Sequence, residues 1–171
     1  MTRMVTEAHA LIEIPCGTLL ARVSEKGLTR LTFLSEEEMG RWRRLQSMQS
    51  PTMLQRMNLD ATKKWTQSYL ERSELPAVKL DMEGSNFQKD VWMALRSTIP
   101  GETLSYSQLA ELAGHPGSAR AVGTSMANNP ISLIIPCHRV LKKDGEIGEY
   151  SGHGGQETKN WLIQHESEWI R

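Results

Sequence analysis

Short apolar segments and turn residues near the start of the chain predict a small antiparallel sheet. Three such segments follow one another, ALIEI (10–14), TLLARV (18–23) and LTRLTFL (28–34). The turn-forming sequences PCG and SEKG separate them, as is typical of consecutive strands. Because short connections of this kind join antiparallel neighbours, we expect a three-stranded meander.

Helical patterns follow the third strand. In SEEEMGRWRRLQSM, Ser35 and Glu38 have the spacing of a capping box, and the acidic first turn suits the helix dipole. Larger apolar residues then recur at helical spacing and predict buried faces. They are Met39, Trp42 and Leu45 in this helix, and Leu59, Trp65 and Tyr69 in a second helix predicted over about residues 54–72.

The sequence SELPAVKLDMEG (73–84) predicts a connector with a short extended piece, and we place a domain boundary at its end. Residues 1–84 are expected to form an α/β N-terminal domain, a small antiparallel sheet plus helices. Residues 85–171 are expected to form a second domain with a different, mostly helical character.

Two capping boxes mark helix starts in this second domain, Ser85 with Gln88 and Ser105 with Gln108. Gly114 is a predicted C-terminal stop, and after the turn HPG the sequence SARAVGTSMANN predicts another helix. Helix, short glycine-containing turn and helix is the helix-turn-helix pattern, although any two packed helices can share it. We expect a mostly α-helical C-terminal domain of the winged-helix or helix-turn-helix type.

The helix in SARAVGTSMANN is rich in small side chains. They are Ala119, Ala121, Gly123, Thr124, Ser125 and Ala127. One interpretation is close helix packing inside the protein. The other is close approach of a smooth helix to a narrow groove, with Arg120 projecting, since nucleic-acid minor grooves are about 6 Å wide. The residues alone leave both interpretations open.

The sequence ISLIIPCHRV (131–140) predicts an extended apolar run that delivers Cys137 beside His138. Cys137 can be a buried apolar residue, half of a disulfide with Cys16, a metal ligand or a nucleophile. Neighbours in extended chain point to opposite sides, so Cys137 and His138 need a bridging water or a turn at Pro136 to cooperate.

A carboxylate is expected to orient the other nitrogen of the His138 imidazole. By spacing alone, Glu166 in the predicted terminal helix ETKNWLIQHESEWI and Glu149 beside the glycine-rich loop YSGHGG are both candidates. Between His138 and that loop, KKDGEIG predicts a hairpin turn around Asp144 and Gly145.

Composition narrows the setting of the protein without deciding its function. The 171-residue chain carries 20 basic and 20 acidic side chains, so overall charge does not indicate a nucleic-acid or membrane partner. No apolar run has the length of a membrane span, and we see no secretory signal. An intracellular, reducing compartment is therefore expected, with Cys16 and Cys137 as free thiols.

The sequence NNPISLIIPCHRV (128–140) strongly resembles the active-site signature of the O6-alkylguanine-DNA alkyltransferases, or methylated-DNA–protein-cysteine methyltransferases. The resemblance extends through SNFQKDVW, TLSYSQLAELAG, SARAVGTSMANNP, GEYSGH and KNWLIQHE, and covers nearly all of residues 85–171. The N-terminal half is similar to that family only in its strand and turn layout.

The resemblance implies irreversible, single-turnover transfer of an alkyl group from O6-alkylguanine, with O4-alkylthymine as a second candidate substrate. Cys137 would be the acceptor, and His138 would take the thiol proton through a water. Glu166 would hold His138, and Tyr106 would donate to guanine N3 as charge develops. Asn129 would brace the turn between the DNA-binding helix and the cysteine.

The resemblance also implies a monomer that binds double-stranded DNA through the minor groove and flips the damaged base. Arg120 would fill the space that the flipped guanine leaves. The other residues expected at the DNA are Ser118, Ala119, Gly123, Thr124 and Ala127, of which Ala127 lies where relatives are often basic. The substrate base would contact Tyr106, Val140, Tyr150 and Ser151.

Departures from the family pattern set the remaining expectations. Ser24 falls where zinc-binding members carry a cysteine, so we expect no zinc and no other cofactor. The loop with His153 is about two residues longer than in compact members. The nucleus in a eukaryote, or the cytoplasm in a prokaryote, is the expected location.

Two other functions compete with alkyl transfer. Alkyltransferase-like proteins are non-catalytic modules that bind alkyl lesions, but they carry tryptophan where this chain has Cys137. A cysteine–histidine hydrolase would need turnover and an oxyanion hole, and no motif supplies one.

Overall fold

The three predicted strands form an antiparallel meander in the computed structural model, which describes residues 6–148, 150 and 153–169. They are β1 (Ala8–Ile14), β2 (Gly17–Val23) and β3 (Leu28–Leu34), in the order β1-β2-β3. The side chains of Leu19, Ala21 and Leu31 are fully buried at this sheet. The predicted small antiparallel sheet is thus confirmed.

Two helices complete this part of the chain, α1 (Glu36–Met48) and α2 (Met53–Leu70). Both begin with a capping box, at Ser35 in α1, as predicted, and at Thr52 in α2. The predicted core residues of α2 are buried, and the rings of Trp65 and Tyr69 stack with their centroids 5.3 Å apart.

The buried face predicted for α1 is wrong. None of its residues is fully buried: Met39 and Trp42 are half-buried, and Leu45 is 39% exposed. The reason is that polar groups make contacts with edge strand β1. The Gln46 side chain accepts the Leu11 N–H, and Gln49 bonds both backbone groups of His9. The helix therefore covers the backbone of an edge strand instead of inserting an apolar stripe.

The chain divides into two compact units between Glu83 and Gly84, one residue before the predicted boundary. Before that point, Leu80 in the connector pairs with Leu28, which gives the short extended piece expected there. The roles assigned to the two regions stay predictions.

The second unit is rich in helices, as predicted. Its elements are α3 (Asn86–Arg96), β4 (Leu104–Ser105), α4 (Tyr106–Leu112), α5 (Ala119–Ala127), a 3-10 turn (Cys137–Arg139), β5 (Val140–Leu141) and α6 (Gly155–Ser167). The capping boxes at Ser85 and Ser105 are both formed. Strands β4 and β5 pair in parallel. The turn at Asp144 and Gly145 exists, but no return strand follows it within the described residues.

One apolar core joins the helices of the second unit. Val91 and Leu95 of α3, Leu109 of α4, Val122 of α5 and Leu162 of α6 have no exposed surface. The indole N–H of Trp92 also donates to the Ser125 carbonyl at 2.9 Å, which ties α3 to α5. This packing fixes the surfaces on which the candidate site is built.

Helices α4 and α5 form the predicted helix–turn–helix, with Gly114 and Gly117 at positive φ in the turn. Within α5, Val122, Ser125 and Met126 are buried. Three of the other small residues, Ala121, Thr124 and Ala127, are exposed to solvent. Arg120, the one arginine of α5, is also exposed. Internal close packing therefore does not explain three of the six small residues of α5, Ala121, Thr124 and Ala127. No helix among the described residues is long and apolar enough to span a membrane.

Gly27→Ala is expected to destabilise the first unit, because an added Cβ would lie 2.6 Å from the backbone oxygen of Lys79. The connector backbone cannot move aside without breaking its bond to Leu28. We expect a loss of about 1–3 kcal/mol in the free energy of unfolding, measured by urea denaturation.

The matched control is Gly40→Ala in α1, where an added Cβ would meet no atom within 4 Å. Alanine favours the helix over glycine by roughly 1 kcal/mol, so this variant should be more stable than the parent. Equal stability changes in the two variants would contradict the steric explanation.

Candidate active site

A turn braced by the Asn129 side chain positions Cys137. The prediction that the apolar residues before Cys137 form an extended run is therefore wrong. The Asn129 side chain accepts the Ile131 N–H at 2.9 Å and donates to the Ile135 carbonyl at 2.8 Å. Between these two contacts, Leu133 takes a left-handed conformation with φ 67°. Residues 131–135 therefore fold into consecutive turns that are anchored from within.

Cys137 and His138 then lie in a 3-10 turn instead of an extended strand. Such a helix has three residues per turn, so adjacent side chains diverge by about 120°. Both side chains are nevertheless buried, Cys137 at 7% exposure and His138 at 0%. A bridging water or a turn at Pro136 was expected to let the two residues cooperate, and the turn is present.

His138 is held by a buried carboxylate on α6. Its Nε2 lies 2.6 Å from Oε1 of Glu166, which is 1% exposed. Arg139 binds the same carboxylate through Nε at 2.8 Å and a second guanidinium nitrogen at 3.0 Å. The backbone N–H of Gly101 adds a bond of 3.1 Å. Of the two carboxylates expected from spacing, Glu166 makes this contact, whereas Glu149 lies outside the described residues.

The charges of this cluster define which imidazole nitrogen can act. Burial alone would raise the pKa of Glu166, but His138 and Arg139 together hold that pKa well below its usual range. Burial lowers the pKa of His138, against the opposing pull of Glu166. An ionised carboxylate only accepts, so the proton of neutral His138 lies on Nε2. Nδ1 is buried and has no hydrogen-bond partner among the described residues.

Cys137 is a buried thiol with two groups that favour its ionisation. Burial raises the pKa of the Cys137 thiol, while hydrogen bonding by Asn129 and the positive charge of Lys159 act to lower it. Lys159 is itself only 1% exposed, and its ammonium donates to the Val140 carbonyl at 2.8 Å. The resting thiol is neutral, and deprotonation needs a base.

Arg139 and Lys159 are site residues that the sequence analysis did not find. Lys159 shares one helical face with Leu162 and Glu166, at positions i, i+3 and i+7, so a lysine within a buried stripe was a usable signal. Arg139 follows Cys137 and His138 directly, but its partner is distant in sequence. No local pattern predicts that pairing.

Tyr106 lies between α5 and the segment after β5. It is half-buried at the start of α4, directly after the β4–β5 pair. An added Cβ at Gly123 would lie 3.9 Å from its ring, and one at Gly148 would lie 3.5 Å from its hydroxyl. The predicted proton donor and the predicted DNA-binding helix are therefore neighbours.

The predicted DNA-contacting residues lie on α5 or at its start. Ser118 caps α5 without a side-chain hydrogen bond and is half-buried, as are Ala119 and Gly123. Arg120 is exposed and makes no ion pair with any residue in the described part of the chain. Thr124 and Ala127 share its exposure. The structure thus presents a smooth surface with one projecting cation.

The residues expected to contact the substrate base differ in where they lie. Val140 is buried beside Lys159, and Tyr150 is half-buried. Ser151 lies outside the described residues, and His153 is exposed. No group of three or more His, Cys, Asp or Glu side chains in the described ranges could hold a metal ion, and the absence of zinc stays a prediction.

Comparisons with known proteins show which family the chain belongs to. Residues 86–168 match the family model for the DNA-binding domain of 6-O-methylguanine DNA methyltransferase. A methylated-DNA–protein-cysteine methyltransferase of Rattus norvegicus is 34% identical over 97% of this chain and 85% of the rat protein. The chain belongs to the methylated-DNA–protein-cysteine methyltransferase family.

Other members of the methyltransferase family differ in how much of their length is matched. The Mus musculus protein is 46% identical over 110 residues, which are 60% of this chain and 52% of the mouse protein. The crystal structure of Mycobacterium tuberculosis O6-methylguanine methyltransferase has a TM-score of 0.77 at 31% identity, over 95% of this chain and 94% of that one. The mycobacterial protein has also been solved in complex with DNA.

Lys159→Met is expected to slow thiolate-dependent labelling of Cys137 by iodoacetamide. Loss of the buried ammonium removes a charge that lowers the pKa of the Cys137 thiol, so less thiolate forms at a given pH. A shift of one pKa unit would slow labelling roughly tenfold. Peptide mass spectrometry at several times of reaction measures the rate.

Lys143→Met is the matched control, because Lys143 is exposed in the turn after β5. Cys16 provides an internal reference, since burial raises the pKa of its thiol to about 11 and it should label slowly in both variants. Equal Cys137 rates in the two lysine variants would contradict a role for the buried charge.

Proposed function

We propose that this protein repairs DNA by moving the alkyl group of O6-alkylguanine to Cys137 in one irreversible step. The observation that carries the proposal is the buried pair of Cys137 and His138, with Nε2 of His138 committed to Glu166 and Nδ1 unpaired among the described residues. A nucleophile beside a base that a third group orients is the arrangement that covalent group transfer requires.

The transfer begins with loss of the thiol proton to His138 Nδ1 through a water molecule. Glu166 stabilises the imidazolium that forms, and Lys159 and Asn129 stabilise the thiolate. The sulfur then attacks the alkyl carbon, an S–C bond forms and the C–O6 bond breaks. The electron pair passes to the purine, where Tyr106 donates a hydrogen bond to N3 as charge develops.

The product is a thioether, which explains why one event consumes one molecule. A thioether sulfur is a poor leaving group, and transfer calls for no second, hydrolytic step. A buried nucleophile suits such a reaction, because Cys137 is 7% exposed and poorly accessible to bulk solvent. The rat relative is named a methylated-DNA–protein-cysteine methyltransferase, which supports this reaction class.

DNA is bound through α5, with the base flipped out of the duplex through the minor groove. The exposed small residues of α5 support close approach, and Arg120 occupies the space left by the guanine. The formal net charge of zero supports DNA binding through few phosphate contacts. Such binding depends only weakly on salt concentration and allows rapid dissociation. The DNA complex of the mycobacterial relative supports the partner class. The protein acts as a monomer in the nucleus or the prokaryotic cytoplasm.

A non-catalytic lesion-binding module is the second candidate function, and the same fold would serve it. It requires no nucleophile and no base. The buried Cys137, which stands where such modules carry tryptophan, and the adjacent His138 held by Glu166 therefore favour transfer over binding alone.

Cys137→Ser should abolish transfer of a tritiated methyl group from alkylated duplex DNA to the protein, while DNA binding persists. A hydroxyl stays protonated near neutral pH, whereas the thiol can ionise when a base takes its proton. Cys16→Ser is the control and should transfer fully, because Cys16 is half-buried in the turn between β1 and β2. Labelled Cys137→Ser protein would refute the assignment.

Arg120→Ala should separate base flipping from chemistry. Its loss should slow transfer from duplex DNA by about tenfold to a hundredfold, the equivalent of the few kcal/mol that unstacking requires. Transfer from free O6-alkylguanine base, which needs no flipping, should be nearly unchanged. Single-turnover rates on both substrates measure the difference. Equal slowing on the two substrates would count against the proposed role of Arg120.

A further inference from the structure

The carboxylate of Glu166 is divided between two basic side chains. Oε1 accepts from His138 Nε2 at 2.6 Å and from Arg139 at 3.0 Å, and Oε2 accepts from Arg139 Nε at 2.8 Å and Gly101 N–H at 3.1 Å. Arg139 is itself fixed by bonds to the Thr98 carbonyl and hydroxyl at 2.7 and 2.9 Å. The arginine is 4% exposed, so this is a desolvated ion pair.

We propose that Arg139 is a positioning residue that neutralises Glu166 and thereby keeps His138 uncharged and ready to accept the thiol proton. The inference rests on the proposed alkyl transfer, since it assigns a role in the same site. It concerns how the base is kept neutral, which the Cys137–His138–Glu166 arrangement alone does not explain.

The need for a second cation follows from the cost of a buried charge. If Glu166 faced His138 alone, the cheapest way to neutralise the carboxylate would be to hold a proton on the imidazole. The resting imidazole would then be a cation and could not take a proton from Cys137. Arg139 is always charged and supplies the neutralising cation permanently. Glu166 can then orient His138 without protonating it.

The charged groups around His138 act on its pKa in the direction that this inference requires. Among the described residues, the titratable and charged groups that face it are Glu166 and Lys159 of α6 and Cys137 and Arg139 of its own turn. Burial is the largest influence that lowers the pKa of His138, and the charges of Arg139 and Lys159 add to it. Only Glu166 raises that pKa. Removing Arg139 should therefore raise it.

The test compares Arg139→Gln with Arg139→Lys in the 171-residue chain. Glutamine can still donate to Glu166 but carries no charge, whereas lysine keeps the charge and loses the forked contact. Ring nitrogen shifts of His138, measured by NMR without DNA, report its protonation across pH 5.5–9 (about the range in which histidines titrate). The pH dependence of the single-turnover transfer rate is measured in parallel.

We expect His138 to stay neutral in the parent and in Arg139→Lys, and to titrate at least about one pH unit higher in Arg139→Gln. The acid limb, the acidic side of the pH profile of the transfer rate, should shift by the same number of pH units. A merely structural role would lower thermal stability and rate in both variants at every pH, without moving the limb. Unchanged His138 titration in Arg139→Gln would overturn the inference.

A double variant covers the case in which Arg139→Gln does not fold. Arg139→Gln with Glu166→Gln removes both charges, so His138 should be neutral again over the whole pH range. An imidazolium that persists in the double variant would overturn the inference, because an uncompensated Glu166 could not be its cause. Failure of the parent to transfer alkyl groups would refute the proposed function separately, since the NMR titration needs no substrate.

Discussion

The buried carboxylate of Glu166 is the interaction on which the candidate site depends. An isolated charge in a protein interior is costly, and this one is stable because Arg139, His138 and the Gly101 N–H surround it. Those contacts join α6 to the 3-10 turn and to the loop after α3. One ion cluster thus holds these three parts of the second unit together and fixes the orientation of the imidazole of His138, next to Cys137.

The other features of the site follow from how the chain reaches that cluster. The Asn129 side chain bonds the backbone of Ile131 and of Ile135, so the apolar segment after α5 can turn sharply and place Cys137 inside the protein. Lys159 links α6 to the Val140 carbonyl. The same chain path leaves the smooth face of α5 and Arg120 exposed. One short segment of the chain thus positions both Cys137 and the face of α5 that we propose binds DNA.

Local patterns predicted the elements well, and tertiary contacts account for what they missed. Capping boxes at Ser35, Ser85 and Ser105 are sequence-local and were found correctly. The face of α1 was misjudged because its glutamines serve an edge strand, and the run before Cys137 because Asn129 bonds across six residues. The chemistry of Cys137 came from its resemblance to a family. The Arg139–Glu166 pair spans 27 residues, and no periodicity could have predicted it.

Intact-mass measurement of the unmodified protein tests the central claim of single-step transfer to Cys137 most directly. The protein is titrated with duplex DNA containing O6-methylguanine. The account predicts that each molecule gains one methyl group and no more, however large the excess of DNA, and that peptide mapping places it on Cys137. An unchanged mass with intact lesions would indicate a binding module, and an unchanged mass with loss of many lesions per molecule would indicate a hydrolase. Either result would contradict the account.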